Sequence, residues 1–197
     1  MAHFSNGVSI PGEIFSRTGC QFGVPGGTYP PKKYPSVPPG GIPHYKNMEG
    51  KELYFAFASN LSERKMKERG AKVTSRESAV LRGYRFVFNT NWKDDGFGYA
   101  NITPDEGSAV HGALYICEKG SMCKMDHEHI YEGNRFHRVI VKVEKRNGEV
   151  VDAIAYEANK ECVKGGLKPS EIYLNEILEG EDLLPKEYAA YLRNLKG

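Results

Sequence analysis

The feature that most constrains this chain is an abrupt change of composition at Lys51. Of its eleven prolines and 22 glycines, eight and nine respectively fall within residues 1–50, in strings such as Pro25-Gly26-Gly27 and Pro38-Pro39-Gly40-Gly41. Proline fixes φ and removes a donor, and glycine loses the most backbone entropy on ordering, so this stretch builds neither ladders nor helices. Its scattered apolar residues, among them Ile14, Phe15, Phe22 and Tyr34, favour an irregular coat over free disorder. A polyproline-type ligand is the alternative reading. We therefore place a Pro/Gly-rich arm at residues 1–50 and a folded domain at residues 51–197.

Within that domain, strand signals alternate with short helical ones. Glu52 to Ala58 is a nearly continuous apolar run that breaks at Ser59-Asn60, the pattern of a buried strand. Residues 61–69 are charged and helical in character, 79–89 alternate apolar and polar, and 99–102 follow a glycine-rich turn as a short strand. A further strand is predicted at 109–117 and a short helix at 122–131. Strands at 136–144 and 149–158 flank Asn147-Gly148, the strongest short hairpin signal in the chain. Ser170 reads as a helix N-cap for 170–178, and Pro185 opens a last helix. The fold class expected is α+β, a mixed β-barrel with flanking helices.

Bulk properties exclude several function classes. Lys and Arg number 27 against 25 Asp and Glu, so there is no electrostatic ground for nucleic acid or an acidic membrane as main partner. Cys20, Cys117, Cys123 and Cys162 form no CxxC pair, which indicates neither a zinc knuckle nor a disulfide scaffold and favours a reducing compartment. No apolar run reaches 18 residues, and no GxGxxG or P-loop string occurs. A soluble, cytoplasmic protein that uses no cofactor is the expectation, its oligomeric state left open.

Two segments could carry chemistry. At Phe57-Ala58-Ser59-Asn60 a buried strand breaks into small residues ahead of a helix. Backbone N–H groups at such a place can receive a carboxylate or an oxyanion; the alternative is that Ser59-Asn60 merely caps the helix. The second segment, Met125 to Glu132, concentrates titratable side chains. On an α-helix His129 and Glu132 lie one turn apart, with Asp126 a turn before them, whereas His127 and Glu128 point elsewhere. The HxH spacing sends His127 and His129 to opposite sides, which argues against a metal centre built with His137.

Taken in order, these strings resemble the γ-glutamylcyclotransferase family across residues 52–195. Its opening tyrosine-glycine-serine-asparagine motif is similar to Phe57-Ala58-Ser59-Asn60-Leu61. Gly83 to Asn89, Ala100 to Pro104 and Val110 to Tyr115 resemble successive family strands, and Tyr173-Leu-Asn-Glu-Ile177 and Leu184-Pro185-Lys-Glu-Tyr188 resemble its C-terminal helices. The resemblance implies a small-molecule substrate, a γ-glutamyl compound that closes on itself to release 5-oxoproline and an amine. It also implies that the loop 57–61 holds the substrate and that Tyr156 and Tyr173 line the pocket.

The family's acid/base glutamate sits in a leucine-aspartate-x-x-glutamate-glycine helix. Ungapped, Met125-Asp126 matches the leucine-aspartate pair and His129 falls on the glutamate. A second register places Glu132-Gly133 there, with Phe136 and Arg138 completing a Glu-Gly-x-x-aromatic-x-Arg form. The resemblance thus implies His129 or Glu132 as proton carrier. Three departures cluster here: His129 for glutamate, Ala58 for glycine and Phe57 for tyrosine. They leave open a different acid/base reaction in the same pocket, or a pocket that binds a small acid without turnover.

Overall fold

Five strands, β1 (Lys51–Ala56), β2 (Val73–Thr90), β3 (Tyr99–Glu118), β4 (Phe136–Lys145) and β5 (Val150–Ala158), close into a barrel in the computed structural model. The structure describes residues 50–195 apart from Trp92 and Gly133, and the side chains of Glu128, Tyr131 and Glu132 also fall outside it. The arm assigned to residues 1–50 lies outside the described residues except for Gly50. Around the barrel the order is β1-β3-β2-β4-β5. Every pairing is antiparallel except the one that shuts the barrel, where β1 runs parallel to β5 with Tyr54 opposite Ile154. Among the described residues four α-helices flank it: α1 (Glu63–Glu68), α2 (Cys123–Asp126), α3 (Glu171–Leu178) and α4 (Lys186–Arg193). The expected α+β mixed barrel with flanking helices is the architecture observed.

Two expectations need correction. The strands predicted at 79–89, 99–102 and 109–117 are parts of only two long strands, β2 and β3, which form one hairpin. Their polar stretches are places where the ladder bends. Arg82 pairs with Ala109 and Tyr84 with Pro104, so residues 105–108 bulge out opposite Gly83. Gly83 sits at φ 77°, a left-handed conformation that a side chain would strain. Such bulges increase local twist and let long strands wrap a small barrel. The second correction concerns the helix at 122–131. Only Cys123–Asp126 is α-helical, and His127–Glu132 continues as a π-helical turn.

Residues of all five strands fill the core, with Phe55, Leu81, Ile102, Leu114, Tyr115, Val143 and Ala155 essentially inaccessible to solvent. Leu174 and Ile177 of α3 and Leu192 of α4 are equally buried. Ser170 caps α3 by accepting from the Tyr173 amide at 3.2 Å, as expected. The Asn147-Gly148 turn also forms, with Gly148 at φ 83°. The end of α3 is tied to the start of α1: the Ser62 hydroxyl donates to Glu179 at 2.7 Å, and Arg64 reaches both oxygens of the same carboxylate. These contacts fix two helices against the open end of β1, where the chain leaves the barrel. No helix among the described residues is long and apolar enough to cross a membrane.

Candidate active site

Where β1 ends, the chain makes a tight turn instead of entering α1 directly. Ser59–Leu61 is a single 3-10 turn, in which the amides of Leu61 and Ser62 donate to the carbonyls of Ala58 and Ser59. Ser62, whose hydroxyl accepts from the Lys65 amide, is the N-cap of α1. The alternative reading that Ser59-Asn60 cap this helix is therefore not what the structure has. The turn is clamped from outside, since the Leu61 carbonyl accepts from the Tyr115 hydroxyl at 2.9 Å and from Arg76 at 3.4 Å. Leu61 itself is fully buried in the core, where Gly180 lies so close that a Cβ there would meet the Leu61 backbone at 2.5 Å.

Beside this turn lies a cavity of about 240 Å³. Phe57, Ala58, Ser59 and Asn60 form one wall, and His129, Tyr156 and Tyr173 contribute to the others. Of the residues assigned to the site in the sequence, these seven line one cavity. The side chain of Glu132 lies outside the described residues, although its backbone completes the π turn. Phe136, noted in the sequence only as the aromatic of the second register, also lines the cavity, and sequence reasoning missed Tyr54, Lys65, Arg69, Lys93, Tyr99 and Glu176. Tyr54 and Tyr99 look like ordinary strand residues, and Lys65, Arg69, Lys93 and Glu176 like solvated charges, so only their three-dimensional placement singles them out.

Beneath the cavity floor is a buried ionic group. Arg138 donates through Nε and Nη2 to the two oxygens of Asp126 at 2.6 and 2.5 Å, and the Tyr156 hydroxyl donates to Asp126 at 2.8 Å. Asp126 is 1% exposed. Desolvation raises its pKa, against the opposing pull of Arg138 and Tyr156. This bidentate pair joins α2 to β4 and holds the segment that leads into His129. Asn60 braces the same region from the other side. Its Nδ2 donates to the Tyr54 hydroxyl at 2.8 Å and contacts Met125 Sδ at 3.2 Å, while its Oδ1 is buried with no partner among the described residues.

The π turn shapes the neighbourhood of His129. With i to i+5 bonding the chain advances less than 100° per residue, so the α-helical phasing drawn from the sequence does not apply beyond Asp126. The His129 ring packs edge-on against Tyr156 and Phe136, at centroid distances of 5.5 and 5.4 Å. Its Nε2 lies 3.2 Å from Nη1 of Arg69, at the C-terminal end of α1. A guanidinium only donates, so Nε2 is the acceptor and the neutral ring carries its proton on Nδ1. That Nδ1 is buried with no partner among the described residues. Burial, then Arg69, then Arg135 push the imidazole pKa down to about 4, so His129 is uncharged at neutral pH.

Charge on the remaining walls is paired in part. Lys65 donates to Glu176 at 2.7 Å across the gap between α1 and α3. Lys93 sits 4.9 Å from the centre of the Tyr99 ring. The Tyr99 and Tyr173 rings meet at a tilt with centroids 4.9 Å apart, and the Tyr173 hydroxyl oxygen accepts from the Ala100 amide. Burial raises the pKa of Tyr54 to about 12 and those of Tyr156 and Tyr173 in the same direction. These phenols are therefore neutral donors or acceptors, not bases. His127 and His137 are exposed, His137 bonding Asn159 at 2.9 Å. No group of three His, Cys, Asp or Glu side chains is placed to hold a metal ion among the described residues.

A cavity at the end of a barrel strand, with a small-residue turn as one wall and a buried carboxylate behind Tyr156, invites comparison with known proteins. The model of the gamma-glutamyl cyclotransferase, AIG2-like family matches residues 49–175, well over half of the chain. The chain belongs to this family. Solved structures agree in fold. A gamma-glutamyl cyclotransferase aligns with a TM-score of 0.63 at 23% identity, over 73% of this chain and 86% of the other. An uncharacterized Homo sapiens protein, loc79017, gives 0.64 at 23% identity, over 73% and 87%. The glutathione-specific gamma-glutamyl cyclotransferase of yeast gives 0.59 at 12% identity, over 74% and 94%. No curated protein matches this chain. In this member of the gamma-glutamyl cyclotransferase, AIG2-like family, the cavity contains a neutral imidazole that accepts from an arginine.

Proposed function

We propose that this protein is a γ-glutamylcyclotransferase-type enzyme that converts a small γ-glutamyl compound into 5-oxoproline and a free amine, with His129 as proton carrier. The observation that carries the reading is the convergence of the Phe57–Asn60 turn, Tyr156, Tyr173 and His129 on one cavity of small-molecule size. The reaction is intramolecular. The α-nitrogen attacks the γ-carbonyl carbon, a carbon–nitrogen bond forms in the ring, and the original amide bond breaks. Two protons leave the ammonium as it becomes the lactam N–H, and two reach the departing nitrogen as it becomes an ammonium. Such a reaction needs positioning and proton transfer more than a nucleophile.

His129 has the protonation state for this task. Uncharged at neutral pH, with its lone pair on Nε2, it can take a proton and return it. The small side chains of Ala58 and Ser59 let a substrate approach the main chain of the turn, whose amides are the natural stabilisers of negative charge on the carbonyl oxygen. The second register of the family motif gives this role to Glu132, and Glu132→Gln separates the two.

One observation favours a second reading. Arg69 occupies Nε2, the atom that must accept the proton, and an arginine-capped imidazole is also what a site built only to hold a small acid would show. Incubating the full chain with γ-glutamyl amino acids, γ-glutamylamines and glutathione, and measuring 5-oxoproline by mass spectrometry, decides between them. Release from any member supports the enzyme. Tight binding without release, unchanged in His129→Ala, supports the binding pocket and sinks the proposed reaction.

A further inference from the structure

We propose that Lys65 is a specificity-determining residue of this cavity: its ammonium, held at the mouth by Glu176, receives a carboxylate carried on the departing amine. γ-Glutamyl compounds with an acidic leaving group therefore bind better than those with a neutral one. The assignment rests on reading the cavity as a site for γ-glutamyl compounds.

The cavity has a closed end and an open one. Tyr54, Phe57, Asn60 and Tyr156 are at most 7% exposed, whereas the side chains of Lys65 and Glu176 are 22% and 31% exposed. All of them line the same space. Ring closure folds the α-amine back onto the γ-carbonyl, so the reacting head is compact and fits the closed end, beside the 57–60 turn and His129. The group on the far side of the scissile bond then extends to the mouth, where α1 and α3 face each other.

Lys65 is presented there on a braced pair of helices. Ser62 and Arg64 tie the start of α1 to Glu179, and one turn inside each helix Lys65 Nζ meets Glu176 Oε1 at 2.7 Å. An ammonium carries three donors. One is spent on Glu176, and the described residues leave the others unfilled. Glu176 thus orders a long, flexible side chain before any ligand arrives, which removes part of the entropy cost of binding. It also repels an incoming carboxylate, but across the width of the ammonium, while the carboxylate meets Nζ at hydrogen-bond contact. Attraction at the shorter distance prevails. Arg69 and Lys93 also line the cavity, and substitution at Lys65 separates its part from theirs.

Calorimetric titration of the full chain with N-glutarylglycine and N-glutarylglycinamide tests this without turnover. Both compounds lack the α-amine and cannot cyclise. They differ only in a carboxylate against a carboxamide at the end that stands for the departing amine. Wild type is expected to bind the acid about tenfold more tightly, the size of one charge-assisted hydrogen bond. Lys65→Met should bind the two within about twofold of each other, with its affinity for the amide close to that of wild type. Lys65→Arg should keep the preference. The Lys65–Glu176 pair is partly exposed, so the fold is expected to survive its loss; if Lys65→Met does not fold, Lys65→Gln takes its place.

Equal affinity of wild type for the two compounds, binding of neither, or an undiminished preference in the Lys65 variant would each overturn the proposal, the last by assigning the preference to another cation. Failure of the proposed reaction reads differently. A Lys65-dependent preference in a protein that releases no 5-oxoproline removes the reaction and keeps the role of Lys65. An enzyme that releases 5-oxoproline without such a preference does the reverse.

Discussion

Asp126 shows how closely stability and site are joined at the scale of single residues. Its carboxylate is buried under the cavity with Arg138 and the Tyr156 hydroxyl as partners. Removing one partner of a buried pair leaves the other uncompensated, at about 3–5 kcal/mol. Arg138→Met is expected to lose stability in that range by urea unfolding, and more than Asp126→Asn, which retains a polar group able to bond both neighbours. Tyr156→Phe should lose less, about 0.5–1.5 kcal/mol, since Asp126 keeps its bidentate arginine. These positions were only partly visible from sequence. Asp126 and Arg138 each appear there, but in two competing registers of one motif; folding brings them into a single ion pair, because the π turn takes up the intervening residues.

At the scale of elements, β1 and its following turn carry the site, and their position depends on how closely β3 approaches. A Cβ on Gly112 would meet the Ala56 carbonyl oxygen at 2.4 Å and the Phe55 ring at 2.7 Å. Backbone cannot yield as a flexible side chain does, so Gly112→Ala is expected to destabilise by about 1–3 kcal/mol. Its 5-oxoproline release should also fall, because Ala56 leads directly into the 57–60 wall. Chemical unfolding of the variant beside wild type checks the first effect. Periodicity located β1, β4, β5 and their hairpin turn well, because each is short and bounded by glycine, asparagine or a charged run. It divided β2 and β3 into pieces, since a bulged ladder carries polar residues where it bends outward and reads locally as loop. The π turn left no signal of its own, as its residues are ordinary helix formers.

For the whole molecule, the depressed pKa of His129 becomes a pH dependence of folding. Its folded value is about 4 against 6.5 for an ordinary histidine. The unfolded chain therefore binds more protons between those values, and stability falls as pH drops from about 6.5 to about 4. The upper bound is about 3 kcal/mol, reduced by residual solvent contact. His111, whose pKa is also lowered by burial, acts in the same direction, and Asp126, whose pKa is raised, in the opposite one. The difference between wild type and His129→Gln isolates the contribution of His129. Urea midpoints at pH 7 and pH 5 should converge in the variant relative to wild type; identical pH dependence would show that the ring is not desolvated.

The barrel order, the clamped turn and the neutral imidazole together form one account, in which His129 moves protons for ring closure of a γ-glutamyl compound. Its most direct test compares wild type with His129→Ala on whichever γ-glutamyl compound turns over fastest, measuring initial rates of 5-oxoproline release at pH 7. General acid–base catalysis contributes about 10²- to 10⁴-fold. The account predicts a loss of that size in His129→Ala with Glu132→Gln close to wild type. Equal rates for His129→Ala and wild type, or a collapse confined to Glu132→Gln, would contradict it.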